Sequence, residues 1–315
     1  MNKTFSAVIT TYNRAHIIEE TINSVLNQTQ AVDELIIVDD GSTDDTRNVV
    51  NNLAQQSNLI KYVGQENKGV SAARNRGILE SSSEFIVFLD DDDLWPNTHI
   101  TMLKNNIELF PTAIIYAGFN ARDTSPDKPI LPQDNTLLAE YQNCGADGDY
   151  LVHKQQPLTK PFYTPHFSTC AVRSSFAKKS LLDESLKARE DIEFFWRLSE
   201  QGDILLDKRS HALTRQFETS LFSLPDTASE KDKLDLDYNR SYWGAEMLKK
   251  LLADRSKDSC PVLYKQYGNA LLGCAHYSFL IGNTTEAIKL LIKSFEHIKT
   301  VNQIKLLARI IFRIR

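Results

Sequence analysis

Residues 84–95 read EFIVFLDDDDLW, an apolar run that passes directly into four consecutive aspartates. The run is short and continuously hydrophobic, as expected of a parallel strand that is buried on both faces. Four neighbouring carboxylates repel one another strongly unless something neutralises them. Because Leu94 and Trp95 follow at once, the cluster does not have the composition of a solvated acidic tail. The stretch therefore predicts a buried strand that places negative charge at one end of a sheet.

Four other apolar runs have the same character and are separated by segments with helical periodicity. They are FSAVIT (5–10), ELIIVDD (34–40), IKYVGQ (60–65) and AIIYAGF (113–119). Strands that alternate with helices are joined by crossover connections, which place the strands side by side and parallel. The sequence therefore predicts an α/β fold with a mostly parallel, doubly wound sheet flanked by helices.

Polar clusters follow four of these strands, at or just after the point where each strand ends. They are TTYNR (10–14), VDDGS (38–42), NKGVSAARNRG (67–77) and DDDD (90–93). In an open α/β sheet the carboxyl ends of the strands line the ligand crevice. Any one cluster has an ordinary explanation as a capped turn or a solvated helix start. All four at the same edge of one sheet predict a ligand-binding site.

The composition is that of a globular protein, since 42% of the 315 residues are hydrophobic and 24% are charged. The formal net charge of -5 argues against general affinity for nucleic acid. The four cysteines have no metal-site spacing, which predicts free thiols in a reducing compartment. The N-terminal apolar run is too interrupted for a signal peptide, and no run is long enough to span a membrane. We therefore expect a soluble, cytoplasmic protein.

Taken in order, TTYNR, VDDGSTDDT, GVSAARNRG, FLDDDDLW and KAREDIEFFWRL (187–198) resemble the motifs of the family 2 glycosyltransferases with the GT-A fold. The resemblance covers about residues 4–220, and the ordered set of motifs at natural spacing carries it. It implies an inverting enzyme that takes its sugar from a nucleotide-sugar donor, with a UDP-sugar favoured. It also implies a GT-A domain over residues 1–225, in which 1–119 bind the donor and 120–225 bind the acceptor. Residues 226–315 are then a C-terminal helical extension.

The family's DxD motif falls on Asp90 and Asp92. A nucleoside diphosphate leaves with negative charge, which Mn2+ or Mg2+ neutralises while carboxylate oxygens hold the cation. By the resemblance, Asp92 is the expected direct metal ligand together with Asp90, and Asp90 and Asp91 hold the ribose, the diphosphate or the metal's waters. Asp93 is expected in a supporting or helix-capping position. A calcium loop and a DxDxT phosphatase are disfavoured, because the Gly and distal Glu of the first and the Thr of the second are missing.

The other motifs correspond to the remaining parts of the donor, again by the resemblance. Tyr12 is expected to stack on the nucleobase, Thr10 to hydrogen-bond to it, and Asp40 to accept its N–H. Asp39 is expected to be a neighbouring structural or ribose contact. Arg74 offers a forked cation that suits a phosphate or the edge of the base. Most basic residues are ordinary surface charges, so three others are weaker candidates for donor binding: Arg14, Lys68 and Arg76.

The expected general base is Asp191, at the predicted helix start in EDIEFFWRL (190–198). In the functional interpretation, its carboxylate deprotonates the acceptor hydroxyl during a single displacement at the anomeric carbon. In the alternative interpretation, Glu190 and Asp191 only complement the helix dipole. Residues 166–175 are predicted to form a strand that enters the acceptor half. Three histidines lack ligand spacing and are expected to be structural or acceptor contacts: His153, His166 and His211.

Two departures from the family bear on the reaction. No QxxRW motif of the processive polysaccharide synthases follows residue 198, so transfer of a single sugar per encounter is expected. Phe217 stands where many relatives have a histidine two residues after Arg215, so the metal must use water or another ligand there. The expected acceptor is a hydroxyl of a glycan or of a lipid-linked molecule, in cell-surface polysaccharide synthesis.

Two alternatives to a glycosyltransferase stay open from the sequence. One is a catalytically silent GT-A-like protein that binds or scaffolds, although the intact Asp92 and Asp191 count against it. The other is a sugar-phosphate nucleotidyltransferase, whose Gly-rich N-terminal loop is missing after FSAVIT.

The segment after residue 226 has a different, helical character. Residues 270–297 space small and apolar side chains as a tetratricopeptide hairpin does, which indicates either an interaction module or a packed extension. In KLLARIIFRIR (305–315), cations and apolar side chains fall on separate helical faces. Such a helix can make a peripheral contact with the anionic inner face of a membrane, or it can pack on its own protein. The oligomeric state is left open.

Overall fold

The structure is a computed structural model of the chain, and it describes residues 3–122, 124–132, 135–145, 148–215 and 229–314. The chain divides into two compact units. The first, here called the sheet unit, comprises Met1–Leu158, Phe162–Ser185 and Glu190–Arg215. The second, here called the helical unit, comprises Thr159–Pro161, Leu186–Arg189 and Gln216–Arg315.

The first half of the sheet unit alternates strands and helices, as the sequence predicts. Its elements in chain order are β1 (Phe5–Thr11), α1 (Ile18–Leu26), β2 (Glu34–Asp39), α2 (Thr46–Ala54), β3 (Ile60–Gly64), α3 (Val70–Glu80) and β4 (Phe85–Asp90). The four strands are parallel and lie in the order β3-β2-β1-β4. Because a helix connects each strand to the next, the chain crosses over the sheet before every new strand.

The second half of the sheet unit completes a ten-stranded sheet. Its elements are β5 (Asp93–Leu94), α4 (His99–Leu109), β6 (Ile115–Arg122), β7 (Gln142–Cys144), β8 (Tyr150–His153), β9 (Ala171–Arg173), α5 (Ser174–Ala177), α6 (Glu190–Ser199) and β10 (Ile204–Thr214). The order along the sheet is β3-β2-β1-β4-β9-β6-β10-β8-β7, and β5 pairs with β10 off this path. β6 and β10 are parallel, whereas the short strands β7, β8 and β9 join antiparallel. The predicted α/β fold class is confirmed.

Strand β4 lies in the middle of the hydrophobic core, as the opening stretch predicts. Residues 85–89 expose at most 1% of their surface, because the strand is paired on both sides, with β1 and with β9. Phe85 stacks on Phe5 and meets the edge of the Tyr116 ring. Burial of aromatic side chains on one face fixes the register of the strands. The polar residues that follow these strands are therefore held at fixed positions.

The segment 166–175 differs from the predicted strand. A 3-10 turn occupies Phe167–Thr169, and only Ala171–Arg173 (β9) are extended before α5 begins. The turn forms because the side chain of His166 accepts a hydrogen bond from the backbone N–H of Ser168. Local bonds between side chain and backbone compete with strand pairing. The prediction of a strand is therefore wrong for most of this segment.

The helical unit contains α7 (Glu230–Leu251), α8 (Pro261–Leu280), α9 (Thr284–Phe295) and α10 (Val301–Ile314). A capping box starts α7, in which the Ser229 hydroxyl accepts the N–H of Asp232 and the Asp232 carboxylate accepts the N–H of Ser229. Apolar side chains of α8, α9 and α10 pack into one core: Ala275, Phe279, Ala287, Leu291, Leu306 and Ile310. The predicted C-terminal helical region is confirmed.

The terminal helix α10 does not present its apolar side chains on a single face. Leu306 and Ile310 are buried in the core of the helical unit, whereas Leu307 and Ile311 are exposed. The side chains that pack against α9 are four positions apart, and the side chains next to them in sequence remain exposed. Among the described helices, none combines the length and the apolarity that a bilayer crossing requires.

Candidate active site

The carboxyl ends of β1, β2 and β4 bring the predicted polar clusters to one edge of the sheet. Thr10 of β1 is in register with Asp90 of β4, and Thr11 of β1 is in register with Asp39 of β2. Parallel strands that end together make neighbours of residues that are far apart in sequence. The clusters after these strands therefore share one edge, as expected.

Asp40 is buried and anchors the loop that leads into α3. Its Oδ1 accepts hydrogen bonds from Gln65 Nε2 (2.8 Å) and from the backbone N–H of Lys68 (2.9 Å), and its Oδ2 accepts the N–H of Gly69 (2.8 Å). Gly69 has a φ of +92°, a conformation that glycine adopts at little cost. An ionised carboxylate offers about four acceptor positions, so these three bonds use most of its capacity. Whatever else it binds, Asp40 holds this loop.

Asp39 organises the turn after β2 in a similar way. Its Oδ1 accepts the backbone N–H of Ser42 (2.8 Å), and its Oδ2 accepts the hydroxyl of Tyr62 on β3 (2.7 Å). Burial and this bond to a carboxylate raise the pKa of Tyr62 to about 12. The geometry agrees with a structural contact for Asp39, one of the two roles that the sequence predicts.

The loop after β1 carries an exposed aromatic ring at the same edge. Asn13 adopts a left-handed φ of +55°, and its Oδ1 accepts the N–H of Thr43 (2.7 Å), which ties this loop to the one after β2. Tyr12, the preceding residue, is 46% exposed, so its ring is accessible for stacking. Thr10 is half-buried beside Asp90. Tyr12 and Thr10, two of the three residues predicted to contact the nucleobase, therefore lie at this edge.

Arg74 connects the two halves of the sheet unit through buried ion pairs. From α3, its guanidinium bonds to Asp90 Oδ1 (2.8 Å) and to Glu190 Oε1 (3.0 Å) at the start of α6. It also lies 4.2 Å from the centre of the Phe167 ring. Burial opposes its charge, but the neighbouring carboxylates outweigh burial and raise the pKa of Arg74. The predicted contact with a phosphate or a base stays a prediction, and the forked donors already hold two carboxylates.

Asp90, Asp93 and His166 form a group of side chains suited to hold a metal ion. Their ligand atoms all lie within 4.8 Å of one another. His166 Nε2 is 3.6 Å from Asp90 Oδ2, and His166 Nδ1 is 3.7 Å from Asp93 Oδ2. Asp93 Oδ2 is buried and has no hydrogen-bond partner among the described residues, which is costly unless a cation compensates it. Carboxylate oxygens and an imidazole together suit Mn2+ or a similar divalent ion. The three residues therefore fit such an ion.

Burial raises the pKa values of most carboxyls in the acidic turn. It raises the pKa of Asp93 to about 7 and that of Asp91 to about 6, and neighbouring carboxylates add to both shifts. It also raises the pKa of Asp92. For Asp90 the effect of burial is outweighed by the charge of Arg74, which lowers the pKa of that carboxyl. The turn thus carries charge that its protein partners do not fully neutralise, and a bound cation would lower these pKa values.

Asp92, the metal ligand that the resemblance implies, lies outside this group of three in the part of the chain that the structure describes. Its side chain is half-buried, and its backbone carbonyl accepts a hydrogen bond from Arg215 Nε (2.8 Å). Asp91 pairs with Arg14, whose Nε is 3.4 Å from Asp91 Oδ1. The two arginines therefore hold the acidic turn from both sides of the motif. Phe217, where the sequence departs from the family, lies outside the described residues.

Asp191 lies in the first turn of α6, next to the Arg74–Glu190 ion pair. It is half-buried, and its Oδ1 accepts the N–H of Ile192 (2.8 Å). Its charge adds to the forces that raise the pKa of Arg74, although it forms no ion pair with a described residue. This position suits a base and also suits a carboxylate at a helix start, so the role of base stays a prediction.

The other two histidines make structural contacts within the sheet unit. His211 is fully buried, and its Nε2 lies 3.1 Å from Asp207 Oδ2. His153 is buried and stacks on the Phe162 ring. Both fit the structural role that the sequence predicts for them.

Sequence reasoning underrated three residues of this site. His166 has no ligand spacing to the aspartates, and it reaches Asp90 only because β9, just after it, pairs with β4. For Asp93 the sequence predicts only a supporting or helix-capping position, because it does not show which of the four neighbouring carboxylates is buried. The sequence favours Asp191 over Glu190 as the base. It does not show the ion pair between Glu190 and Arg74, which joins residues that are far apart in the chain. In each case the missing information is a long-range contact.

Comparison with known proteins agrees with this geometry. The family model described as "Glycosyl transferase family 2" matches residues 6–184, more than half of the chain. The chain belongs to glycosyl transferase family 2. The matched region contains TTYNR, VDDGSTDDT, GVSAARNRG and FLDDDDLW and the segment with His166, and it ends before α6 begins.

Two of the similar proteins are beta-1,3-glucosyltransferases. The GalNAc(5)-diNAcBac-PP-undecaprenol beta-1,3-glucosyltransferase of Campylobacter jejuni is 28% identical over 302 residues, which cover 92% of this chain and 87% of that relative. The UDP-Glc:alpha-D-GlcNAc-diphosphoundecaprenol beta-1,3-glucosyltransferase WfgD of Escherichia coli is 35% identical over 168 residues. That match covers 51% of this chain and 63% of the relative, so this chain spans less than two thirds of its length.

A solved structure shows the same fold at low sequence identity. The mannosyltransferase PcManGT from Pyrobaculum calidifontis, in complex with GDP-Man and Mn2+, superposes with a TM-score of 0.57 and 18% identity. The superposition covers 98% of this chain and 79% of that one. The family 2 chain therefore has the GT-A fold.

Proposed function

We propose that this family 2 protein transfers one sugar from a UDP-sugar to a hydroxyl group, with inversion at the anomeric carbon and with Mn2+ or Mg2+ bound. The observation that supports the proposal most is the acidic turn after β4. Its carboxyls are buried or half-buried, and burial raises the pKa values of Asp91, Asp92 and Asp93. Asp90 links the turn through Arg74 to the start of α6, where Asp191 lies. A charged leaving group and a base are the two requirements of a single displacement.

The proposed donor site is the sheet edge formed by β1, β2 and β4. Tyr12, with its exposed ring, stacks on the uracil, and Thr10 and Asp40 bind the edge of the base. The name of the Escherichia coli relative, which begins with UDP-Glc, supports a UDP-sugar. The full set of proposed donor contacts is Thr10, Tyr12, Arg14, Asp39, Asp40, Arg74, Asp90 and Asp91.

The proposed metal ligands centre on Asp90. The resemblance adds Asp92, and the geometry favours Asp93 and His166, whose ligand atoms lie within 4.8 Å of those of Asp90. The buried, unpartnered Oδ2 of Asp93 is the observation that supports a cation at this position. When bound, Mn2+ or Mg2+ neutralises the charge of the departing nucleoside diphosphate.

Asp191 is the proposed general base. Its neighbour Glu190 is held by Arg74 at 3.0 Å, so its carboxylate is committed to an ion pair. Asp191 has no such partner among the described residues and keeps a carboxylate oxygen for the acceptor hydroxyl. The hydroxyl loses its proton to Asp191 as its oxygen bonds to the anomeric carbon, while the nucleoside diphosphate departs from the opposite face.

The proposed acceptor is a lipid-linked glycan. Both relatives described above act, by their names, on glycans linked to undecaprenol through a diphosphate. An enzyme with such an acceptor works at a membrane surface, and the exposed apolar side chains on α10 support a peripheral contact there. We propose residues 1–225 as the transferase domain and 226–315 as its helical extension, with 305–315 at the inner face of the membrane.

A panel assay tests the proposal. Purified full-length protein is incubated with UDP-glucose, UDP-galactose, UDP-N-acetylglucosamine or GDP-mannose, with a short polyprenyl diphosphate-linked sugar, and with Mn2+, Mg2+ or excess chelator. We expect a UDP-sugar to be consumed with a metal ion and the product linkage, read by NMR, to be inverted. Nucleotide binding without turnover across the whole panel would favour the silent binding protein, and full activity in chelator would exclude the metal.

A further inference from the structure

A groove between α8 and α10 of the helical unit takes no part in the proposed reaction. It has a volume of about 480 Å³, within the range of small-ligand sites. One stripe of each helix lines it, since the residues on each are three or four positions apart. The lining residues are Asn269, Leu272, Gly273 and His276 of α8, and Asn302, Lys305, Leu306 and Arg309 of α10.

Among the described residues, the lining of this groove carries positive charge and no carboxylate. Lys305 and Arg309 are the cations of the lining, beside the imidazole of His276. The sequence from residue 297 to 315 contains no Asp or Glu at all. Three cations elsewhere in the helical unit have acidic partners on the same helix: Arg240 with Asp237, Lys249 with Glu246 and Lys289 with Glu286. A solvated helix face usually mixes both signs of charge, and this one does not.

The helix dipole does not account for these cations. The dipole favours basic residues within the last turn of a helix. α10 ends at Ile314, so Lys305 and Arg309 lie more than one turn before its end. His276 and Arg309 line the same groove, and burial and then the charge of Arg309 lower the pKa of His276. The groove thus carries two exposed cations, Lys305 and Arg309, that form no ion pair with a described residue.

We propose that the groove between α8 and α10 binds a phosphate group. Lys305 and Arg309 supply charged donors, and the amides of Asn269 and Asn302 supply neutral donors from opposite walls. A phosphate ester has the negative charge and the several acceptor oxygens that such a set requires, and a guanidinium fork matches its geometry. A carboxylate offers only two oxygens and would leave part of the set unused.

The apolar part of the lining indicates that the phosphate is carried by an organic molecule. Leu272 and Leu306 also line the groove and offer apolar surface to a carbon skeleton. The phosphate can belong to a soluble ester or to a lipid headgroup. The outer surface of α10 exposes Val301 (65%) and Ile304 (63%), which suits a headgroup source. The proposal goes beyond the transfer reaction and does not depend on it.

Paired variants of the full-length protein test the groove. Lys305→Gln/Arg309→Gln removes both charges from the lining, and Lys265→Gln/Lys299→Gln removes two charges from exposed positions outside it. Binding of glycerol 3-phosphate is measured by calorimetry, and binding to phosphatidylglycerol or phosphatidylcholine vesicles is measured by sedimentation. We expect the groove variant to bind the phosphate about tenfold more weakly or worse, and the control to stay close to the unaltered protein.

Each outcome of these measurements has a defined meaning. Loss of both glycerol 3-phosphate and phosphatidylglycerol binding in the groove variant supports a phosphate site open to soluble esters. Loss of vesicle binding alone supports the lipid headgroup as the source. Equal losses in the two variants, or no binding of either probe by the unaltered protein, overturn the proposal. Should the double variant fail to fold, Asn269→Asp places a carboxylate at the exposed rim and is expected to weaken binding by repulsion.

Discussion

The loop after β2 and the turn after β4 both begin with aspartates at the same edge of the sheet, yet they use them differently. After β2, Asp39 and Asp40 accept hydrogen bonds on all four of their oxygens. After β4, Asp93 keeps a buried oxygen without a partner, and burial raises the pKa values of Asp91, Asp92 and Asp93. The first pair builds the loops, whereas the protein stabilises the charge of the second set only weakly.

The difference follows from the donors that surround each set of carboxylates. Asp39 accepts the backbone N–H of Ser42 in its own loop, and Asp40 accepts those of Lys68 and Gly69 in the loop before α3. The acidic turn after β4 has Arg14 and Arg215 near it, but Arg215 binds the backbone carbonyl of Asp92 rather than its side chain. A carboxylate without donors is stabilised only by a cation or a proton. The same residue type is therefore fully hydrogen-bonded after β2, whereas after β4 one buried oxygen has no hydrogen-bond partner among the described residues.

The largest expected effect is that of Asp191→Asn, because we propose Asp191 as the general base. Asp191→Asn keeps the shape of the side chain but cannot take a proton, so the transfer rate should fall by about two to four orders of magnitude. Nucleotide binding should hardly change, because other residues hold the donor. Steady-state transfer and calorimetric titration with UDP measure the two properties on the same variant.

Glu190→Gln is the matched comparison for Asp191→Asn. It removes the carboxylate that pairs with Arg74 at 3.0 Å, so it should lower the free energy of unfolding by about 1.5 to 3 kcal/mol. Near-normal transfer by Asp191→Asn together with a large rate loss in Glu190→Gln would reverse the two assignments.

The next effect concerns the metal ligands of the acidic turn. If the unpartnered oxygen of Asp93 faces the cation, Asp93→Asn and His166→Asn should each weaken Mn2+ binding by about 10- to 100-fold. Asp45→Asn, an exposed carboxylate on the β2 side, is the control for the loss of one charge. Electron paramagnetic resonance of free Mn2+ measures the affinity. Normal Mn2+ affinity in both variants, together with a loss in Asp92→Asn, would indicate that Asp90 and Asp92 bind the ion without Asp93 and His166.

The Mn2+ affinity should also depend on pH. A carboxylate must lose its proton to bind a cation. Because the pKa of Asp93 is raised to about 7 and that of Asp91 to about 6, affinity should increase as the pH rises from 6 to 8. The increase should be smaller in Asp93→Asn, which has one fewer titrating group. An affinity that is flat over this range would show that these carboxyls are already ionised without the metal.

Asp40→Asn tests the structural side of the comparison. The amide nitrogen of the new side chain would meet a backbone donor where Asp40 Oδ2 now accepts the N–H of Gly69 at 2.8 Å. We expect a loss of about 3 kcal/mol in the free energy of unfolding, measured by urea denaturation against Asp45→Asn. Unchanged stability with lost UDP binding would mean that Asp40 serves to bind the donor rather than to hold the loop before α3.

The sheet and its edge could be predicted because short-range patterns determine them. The apolar runs at 5–10, 34–40 and 84–90 became β1, β2 and β4, and parallel strands must bring their carboxyl ends together. Which carboxylate is satisfied could not be predicted. That depends on donors such as the N–H of Gly69 or the ring of His166, which reach the aspartates through loops and an antiparallel strand.

The terminal helix shows the same limit. Its sequence predicts separate basic and apolar faces, but packing on α9 divides the apolar side chains, so Leu306 is buried and Leu307 is exposed. The facing position of α8, which brings His276 and Asn269 opposite Lys305, is a tertiary contact with no signal in the local pattern. Amphipathic periodicity predicts that a helix has faces, whereas its neighbours decide what each face contacts.

The smallest expected effect is that of Tyr62→Phe, which removes one donor from Asp39 and leaves the ring in place. The lost bond, 2.7 Å long and made to a charged group, should lower the free energy of unfolding by about 1.5 kcal/mol at pH 8, with the transfer rate unchanged. The folded-state pKa of Tyr62 is about 12 and its ordinary value is 10.0, so the stabilisation is present below pH 10 and is lost as the pH rises through about 12. The stability difference between the unaltered protein and Tyr62→Phe should therefore shrink above pH 10, while the other tyrosines, which are common to both, cancel. A stability difference that stays constant across this range, or a fall in the transfer rate at pH 8, would contradict a purely structural role for Asp39.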